Sequence, residues 1–160
     1  MKIIELIGKT TINPILFYSG KISGYITWAI LVLSLMDLNI VCNHSFIEFH
    51  LIAYGIIVIG LLMVIFSLIN LGNSTRLGLP SEKTEFKCNG LYKISRNPMY
   101  VGFNLLTISS IIYFLNIIVL LLGVYSLTIY HLIIIGEERF LQNRFGEVYL
   151  NYKKKVRRYI

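Results

Sequence analysis

Four stretches of this chain, residues 22–41, 49–71, 99–115 and 117–135, carry almost no charge. Each is close to the roughly 20 residues that an α-helix needs to cross the hydrocarbon core of a bilayer. In a chain of 160 residues they leave room for little besides loops and a tail. A soluble helical bundle of the same size needs a polar stripe on every surface helix, and these segments have none. The composition agrees: 56% of the residues are hydrophobic and the mean hydropathy is +0.70, well above the soluble globular range. The sequence therefore predicts an all-α integral membrane protein with about four transmembrane helices, forming a single domain over residues 1–160. The third stretch is the shortest, and its helix could begin at Pro98.

Charge placement sets the orientation. Lys and Arg fall as three before the first span (Lys2, Lys9, Lys21), five between spans two and three (Arg76, Lys83, Lys87, Lys93, Arg96) and seven after span four (Arg139, Arg144, Lys153, Lys154, Lys155, Arg157, Arg158), which accounts for all 15. The two other connections, residues 43–48 and Asn116, contain neither. The positive-inside rule then places both termini in the cytoplasm, at the inner membrane if the cell is bacterial. The first apolar stretch follows a charged segment and is not followed by a small-residue cleavage site, so it reads as a retained span. Cys42 and Cys88 fall on opposite faces in this topology and cannot bridge. His44, His50 and His131 are scattered along the chain, and no metal site is indicated.

Spans three and four form a hairpin. From Pro98 to Asn116 is about 27 Å of helix, and from Ile117 back to Glu137 about 30 Å, at 1.5 Å per residue. Two polar groups some forty positions apart in sequence thus return to the same depth at the cytoplasmic interface. One runs Gly90-Leu91-Tyr92-Lys93-Ile94-Ser95-Arg96-Asn97-Pro98-Met99-Tyr100-Val101-Gly102. Structurally it reads as a helix start, with Asn97 as N-cap, Pro98 in the first turn and Tyr100 in an aromatic belt. The other runs from Glu137-Glu138 to Tyr149 and Tyr152. Paired carboxylates at a helix C-terminus oppose the macrodipole, so the helix is expected to continue outward. Phe140, Leu141, Phe145, Val148, Tyr149, Tyr152 and Val156 would then form one apolar face of an amphipathic cytoplasmic helix. The basic tail, Lys153-Lys154-Lys155 and Arg157-Arg158, suits anionic lipid headgroups rather than nucleic acid. A site with an arginine, paired carboxylates and tyrosines suits a ligand of mixed charge, such as a sulfonium cofactor, without singling one out.

Together the two groups resemble the isoprenylcysteine carboxyl methyltransferase and phospholipid methyltransferase superfamily of membrane enzymes. Gly90, Tyr92, Arg96, Asn97, Pro98, Tyr100 and Gly102 meet its pattern G-x-Y-x-x-x-R-H/N-P-x-Y-x-G. Glu137, Glu138, Leu141, Phe145, Gly146, Tyr149 and Tyr152 meet E-E-x-x-L-x-x-x-F-G-x-x-Y-x-x-Y. The resemblance covers about the last seventy-five residues, and the first two spans share only their apolarity. It implies an S-adenosyl-L-methionine-dependent methyltransferase, releasing S-adenosyl-L-homocysteine, whose cofactor lies within residues 84–160 and whose substrate is a lipid or lipidated small molecule entering sideways from the bilayer. It also implies that Phe86, Lys87, Gly90, Tyr92, Asn97, Pro98, Met99, Tyr100, Glu137 and Tyr149 hold the cofactor. Arg96 would orient either the cofactor's carboxylate or the substrate's, and Glu138 or a tyrosine would be the nearest base for an amine or thiol acceptor.

Three departures bear on the acceptor. Asn97 stands where the prenylcysteine enzymes have histidine, Arg157 where many members have proline, and Ile133 where a substrate-facing arginine would lie. A prenylcysteine-like carboxylate, a lipid amine and a small thiol all remain open. Two other classes compete: an NADPH-dependent enzyme resembling sterol reductases, which are usually much longer, and a non-catalytic small transporter or subunit. The latter would show an ionisable residue near the midplane, whereas Asp37 lies near an outer helix end and His131 reads as interfacial.

Overall fold

The computed structural model describes residues 10–38, 40–42, 46–72, 86 and 88–160. Among them every regular element is helical: α1 (Pro14–Leu35), α2 (Ile47–Leu71), a 3₁₀ turn (Gly90–Lys93), α3 (Pro98–Phe114), α4 (Ile117–Phe145) and α5 (Glu147–Lys155). Three of these, α1, α2 and α4, are long and apolar enough to cross a membrane, and α3 is a shorter apolar helix of 17 residues, about 25 Å at the standard rise.

The first helix departs from the expectation. It starts at Pro14 and ends at Leu35, whereas the hydropathy pattern put the span at residues 22–41. Asn13 caps it, its side chain accepting a 2.9 Å hydrogen bond from the Ile15 backbone N–H, and Pro14 suits the first turn. Lys21, expected as a flanking charge, consequently lies about two turns inside the helix. The remaining basic residues expected before the first span, Lys2 and Lys9, lie outside the described residues, as do Arg76 and Lys83.

The predicted hairpin is present. Leu115 adopts a left-handed conformation (φ 44°), and Asn116 caps α4 through Ile118 N–H at 2.9 Å while donating to the Cys42 carbonyl at 3.2 Å. Helix α2 packs chiefly on α3, α1 chiefly on α4. Small residues make both approaches close. A Cβ on Gly102 would lie 2.8 Å from the Gly60 carbonyl oxygen, and one on Gly20 would overlap Ile129. Two apolar clusters fill the bundle, Leu31, Ala53, Tyr113, Phe114 and Val119 at one end and Phe17, Tyr100, Ile129, Tyr130, Ile133 and Ile134 at the other. The outward side of α2 presents Leu51, Ile52, Val58, Ile59, Leu62, Ile65, Phe66 and Ile69. A face that apolar has lipid as its natural solvent.

The continuation of α4 beyond its apolar stretch is shorter than the periodicity implied. The helix runs on to Phe145, stops at Gly146 (φ 50°, ψ −126°), and restarts as α5. Such a backbone is essentially restricted to glycine, and it turns the tail back over the helix ends. The apolar face is correspondingly folded rather than continuous. Phe145, Tyr149 and Tyr152 surround Phe86 at ring-centroid distances of 5.3, 5.8 and 5.1 Å.

Candidate functional site

At the end of the bundle where α3 begins and α4 leaves its apolar stretch, the two carboxylates of α4 point into different surroundings. Successive helical residues are about 100° apart, so adjacent side chains cannot share one environment. Glu138 is only 3% exposed and is enclosed by cations. Arg96 donates to its Oε1 from Nε at 3.0 Å and from Nη2 at 2.9 Å. Arg158 donates from Nε to Oε1 at 3.2 Å and from Nη2 to Oε2 at 3.0 Å. Asn97 Nδ2 adds a fifth hydrogen bond to Oε1 at 3.2 Å.

The same residues lock the tail in place. The Arg96 backbone N–H donates to the Arg157 carbonyl at 2.9 Å, Ser95 Oγ to the Arg158 carbonyl at 3.3 Å, and Asn97 Nδ2 to that carbonyl at 3.2 Å. Arg96 Nη1 reaches the carbonyls of Val156 at 2.8 Å and Lys153 at 3.2 Å. A short parallel bridge thus joins Ser95 to Arg157. Hydrogen bonding to Glu138 holds the Arg158 guanidinium above its ordinary pKa.

This geometry places three residues expected at the site in contact with one another. Arg96 and Glu138, expected to carry the chemistry, direct their charged groups at each other. Asn97 occupies the N-cap position of α3 but makes no side-chain cap hydrogen bond. Its amide nitrogen donates instead to Glu138 and to the Arg158 carbonyl of the tail, a charge-assisted bond that fixes the side chain there.

Glu137 is the contrasting member. Its Oε1 accepts a 2.6 Å hydrogen bond from Tyr100 OH, the one donor it has among the described residues. Tyr100 is buried and its ring neighbours Phe103 and Tyr130. Tyr92 lies in the field of Glu137: burial, and then that negative charge, push its phenol up to about 12. Tyr152 OH donates to the Tyr92 carbonyl at 2.6 Å, which fixes the 3₁₀ turn on α5. Tyr149 is 1% exposed and its hydroxyl has no hydrogen-bond partner. Burial and the nearby Glu138 charge raise it to about 12. Gly90 (φ 57°) sits so close to the Asn70 side chain that a Cβ would overlap it, so the turn is seated on the end of α2. Pro98 is buried in the first turn of α3 and Met99 half-buried beside it. Lys87 lies outside the described residues.

Residues from the 3₁₀ turn, α3, α4 and α5 thus meet at the two carboxylates, with Tyr100 bonded to Glu137 and Tyr92 and Tyr149 in the field of the pair. Among the described residues the Tyr149 hydroxyl shares its lack of a partner with those of Ser126 and Tyr130, and it is the one that lies on α5. Carboxylate, phenols and aromatic faces are also the chemistry that receives an ammonium or sulfonium, ribose hydroxyls and a purine. The donor set therefore fits S-adenosyl-L-methionine. Two contributors were not marked as site residues from sequence. Arg158 was one of five basic residues in a tail that reads as a lipid anchor, and Lys21 read as a flank. Only the return of the tail and the early start of α1 reveal them. Among the described residues no group of acidic, histidine and cysteine side chains could hold a metal ion.

A helical bundle with this apolar exterior and three helices long enough to cross a bilayer, closed at one end by a buried carboxylate clasp, defines an integral membrane protein. The chain belongs to the phospholipid methyltransferase family, whose model matches residues 49–148. That match reaches further toward the N-terminus than the two polar motifs, taking in α2, and stops short of the tail that carries Arg158. No curated protein and no solved structure matches the chain significantly.

Proposed function

We propose that this protein transfers a methyl group from S-adenosyl-L-methionine to a membrane-delivered acceptor at the cytoplasmic face. The observation that carries the reading is the inequality of the two adjacent carboxylates: among the described residues Glu138 accepts five hydrogen bonds from side chains, while Glu137 accepts one. A carboxylate with a single protein donor keeps acceptor capacity that a bound ligand can use. Membership of a methyltransferase family supports the reaction class.

When bound, the cofactor supplies an electrophilic methyl on a positively charged sulfur. Transfer of such a methyl is an in-line displacement, which would ask the protein mainly for alignment and exclusion of water. Glu137 would hold the cofactor's ammonium or its ribose, with Tyr100 fixing the carboxylate's orientation. Tyr92 and Tyr149, neutral phenols at physiological pH, act as donors and ring faces rather than as bases. Arg96, Glu138 and Arg158 are positioning residues: they hold the start of α3, the middle of α4 and the tail in one register. A carboxylate acceptor needs no base. An amine or thiol must lose a proton, and Glu138 is too heavily neutralised to accept one, which leaves Glu137 as the nearest described carboxylate.

The experiment is calorimetric titration of the detergent-purified protein with S-adenosyl-L-homocysteine, using NADPH as the comparison ligand. Saturable binding of the first and not the second is expected, with loss of binding in Glu137→Gln. Binding of NADPH alone would replace this reading by a reductase, and binding of neither by well-folded protein would remove the enzyme reading.

A further inference from the structure

We infer that the exposed cations of the tail, Lys153, Lys154, Lys155 and Arg157, dock together with Lys93 on an anionic bilayer surface, and that this docking holds the Arg158–Glu138 clasp closed. The inference does not depend on the methyltransferase reading; it needs only the membrane-embedded bundle and the returning tail.

All five side chains are exposed, and among the described residues none of them makes an ion pair. They sit on a fixed scaffold rather than on a free end. The bridge from Ser95 to Arg157 sets Lys93 and Ile94 beside the tail, and Arg96 Nη1 donates to the Lys153 and Val156 carbonyls. The other side of α5 is committed: Tyr149 and Val156 are buried, and Tyr152 donates to the Tyr92 carbonyl. The last residues set the depth. Tyr159 OH lies 2.5 Å from His131 Nδ1, and the Tyr159 side chain packs on the cluster of Phe17, Tyr100 and Tyr130. His131 is six residues before Glu137, about 9 Å further into the apolar part of α4. The cations that precede Tyr159 are therefore held where α4 leaves its apolar stretch, the level at which headgroups flank a bundle with this exterior. Ile94 and Ile160, 60% and 67% exposed, flank them with apolar side chains, a pairing that interfacial segments use.

Docking and closure favour each other through charge density. Residues 88–160 carry nine Lys and Arg against three carboxylates, Glu137, Glu138 and Glu147. Glu138 is shared by Arg96 and Arg158, Glu137 takes its hydrogen bond from Tyr100, and Glu147 stands in the first turn of α5, at the opposite end from the lysines. Closing the tail brings its five cations up to Lys93 and Arg96, so the closed state gathers like charges that the open state disperses. An anionic surface binds the gathered array more tightly, and a ligand shifts an equilibrium by the ratio of its affinities for the two states. Each Lys or Arg at such a surface gains about fivefold in affinity. Tail and turn engaging as one array gain one or two such factors over the separated segments, about tenfold in the closing equilibrium. The bilayer is the occupant, rather than an acidic protein or nucleic acid, because the inserted bundle keeps it within reach at high effective concentration.

The test is amide hydrogen exchange of the full chain in nanodiscs of phosphatidylcholine alone and of phosphatidylcholine with a third phosphatidylglycerol. The Arg96 N–H, bonded to the Arg157 carbonyl at 2.9 Å, reports tail opening. It should exchange about tenfold more slowly in the anionic discs. The difference should vanish in the triple variant Lys154→Gln, Lys155→Gln, Arg157→Gln, and in about 1 M salt, where the screening length falls to about 3 Å. Amides within α2 and α3 should exchange alike in both discs and in the variant, which establishes that the bundle is intact. Soluble polyglutamate added to the phosphatidylcholine discs should slow the Arg96 amide by less than about threefold. Arg96 exchange within twofold in the two kinds of disc overturns the inference, and so does a slowing that survives in the triple variant. Faster exchange in the anionic discs means that lipid phosphates take Arg158 from Glu138, and a slowing by polyglutamate as large as that by phosphatidylglycerol makes the occupant an acidic polymer; either result also overturns it. None of these outcomes depends on whether S-adenosyl-L-homocysteine binds.

Discussion

Replacing Glu138 by Gln should open the tail without dismantling the bundle, and the size of the effect follows from the burial of its partners. The Arg96 side chain is 8% exposed and that of Arg158 33%. Removing one partner of a buried pair costs about 3–5 kcal/mol because the other charge stays buried and uncompensated. A pair with a third of one side chain in water is worth about 1 kcal/mol or less. Arg96 therefore dominates, and the two like charges left facing each other add to the penalty. Opening residues 156–158 returns Arg96 partly to water, so the loss appears as easier tail release. A value of about 3 kcal/mol corresponds to roughly a hundredfold larger opening constant. Amide hydrogen exchange reads it directly: the Arg96 N–H, bonded to the Arg157 carbonyl at 2.9 Å, should exchange about a hundredfold faster in Glu138→Gln. In Arg158→Gln the increase should be only about fivefold, while amides within α2 and α3 stay unchanged in both. Exchange within threefold of the parent in Glu138→Gln, with the helices intact, would show that the clasp is not what holds the tail.

Gly102→Val should lower the thermal stability of the purified protein by about 1–3 kcal/mol, since a Cβ there meets Val64 Cγ2 at 2.6 Å and the Gly60 carbonyl at 2.8 Å, whereas Gly55→Ala, with nothing within 4 Å, should stay within about 0.5 kcal/mol; equal effects would refute the close α2–α3 approach. Because burial and the Glu138 charge raise the Tyr149 phenol to about 12, its contribution to stability is complete below the ordinary phenol value of about 10 and is lost as pH rises from there through 12. Alkaline titration of phenolate absorbance, parent minus Tyr149→Phe, should show this late-titrating group, and a difference centred near 10 would contradict its burial.

Much of the architecture was legible because hydropathy over some twenty residues is a one-dimensional property. Helices α2, α3 and α4 follow it closely, and hairpin length alone predicts that Arg96 and Glu137 return to the same depth. The family patterns added Tyr92, Tyr100 and Glu137 as a group. The ends of α1 were misplaced because a lysine inside a span looks, in sequence, the same as a lysine beside one. Its place inside the span follows from the Asn13–Pro14 helix start, a cap signal that hydropathy does not register.

The sequence by itself determined the solvent of this protein, the number of its apolar helices and the residue types at the end where α3 begins, since each depends on local composition or on spacing along one helix. Tertiary structure alone decided which of two adjacent carboxylates is clasped by arginines. Glu137 and Glu138 are chemically identical, and the roughly 100° between their side chains acquires meaning only when Arg158, twenty positions later, is carried back by the Gly146 turn to neutralise one and leave the other to Tyr100.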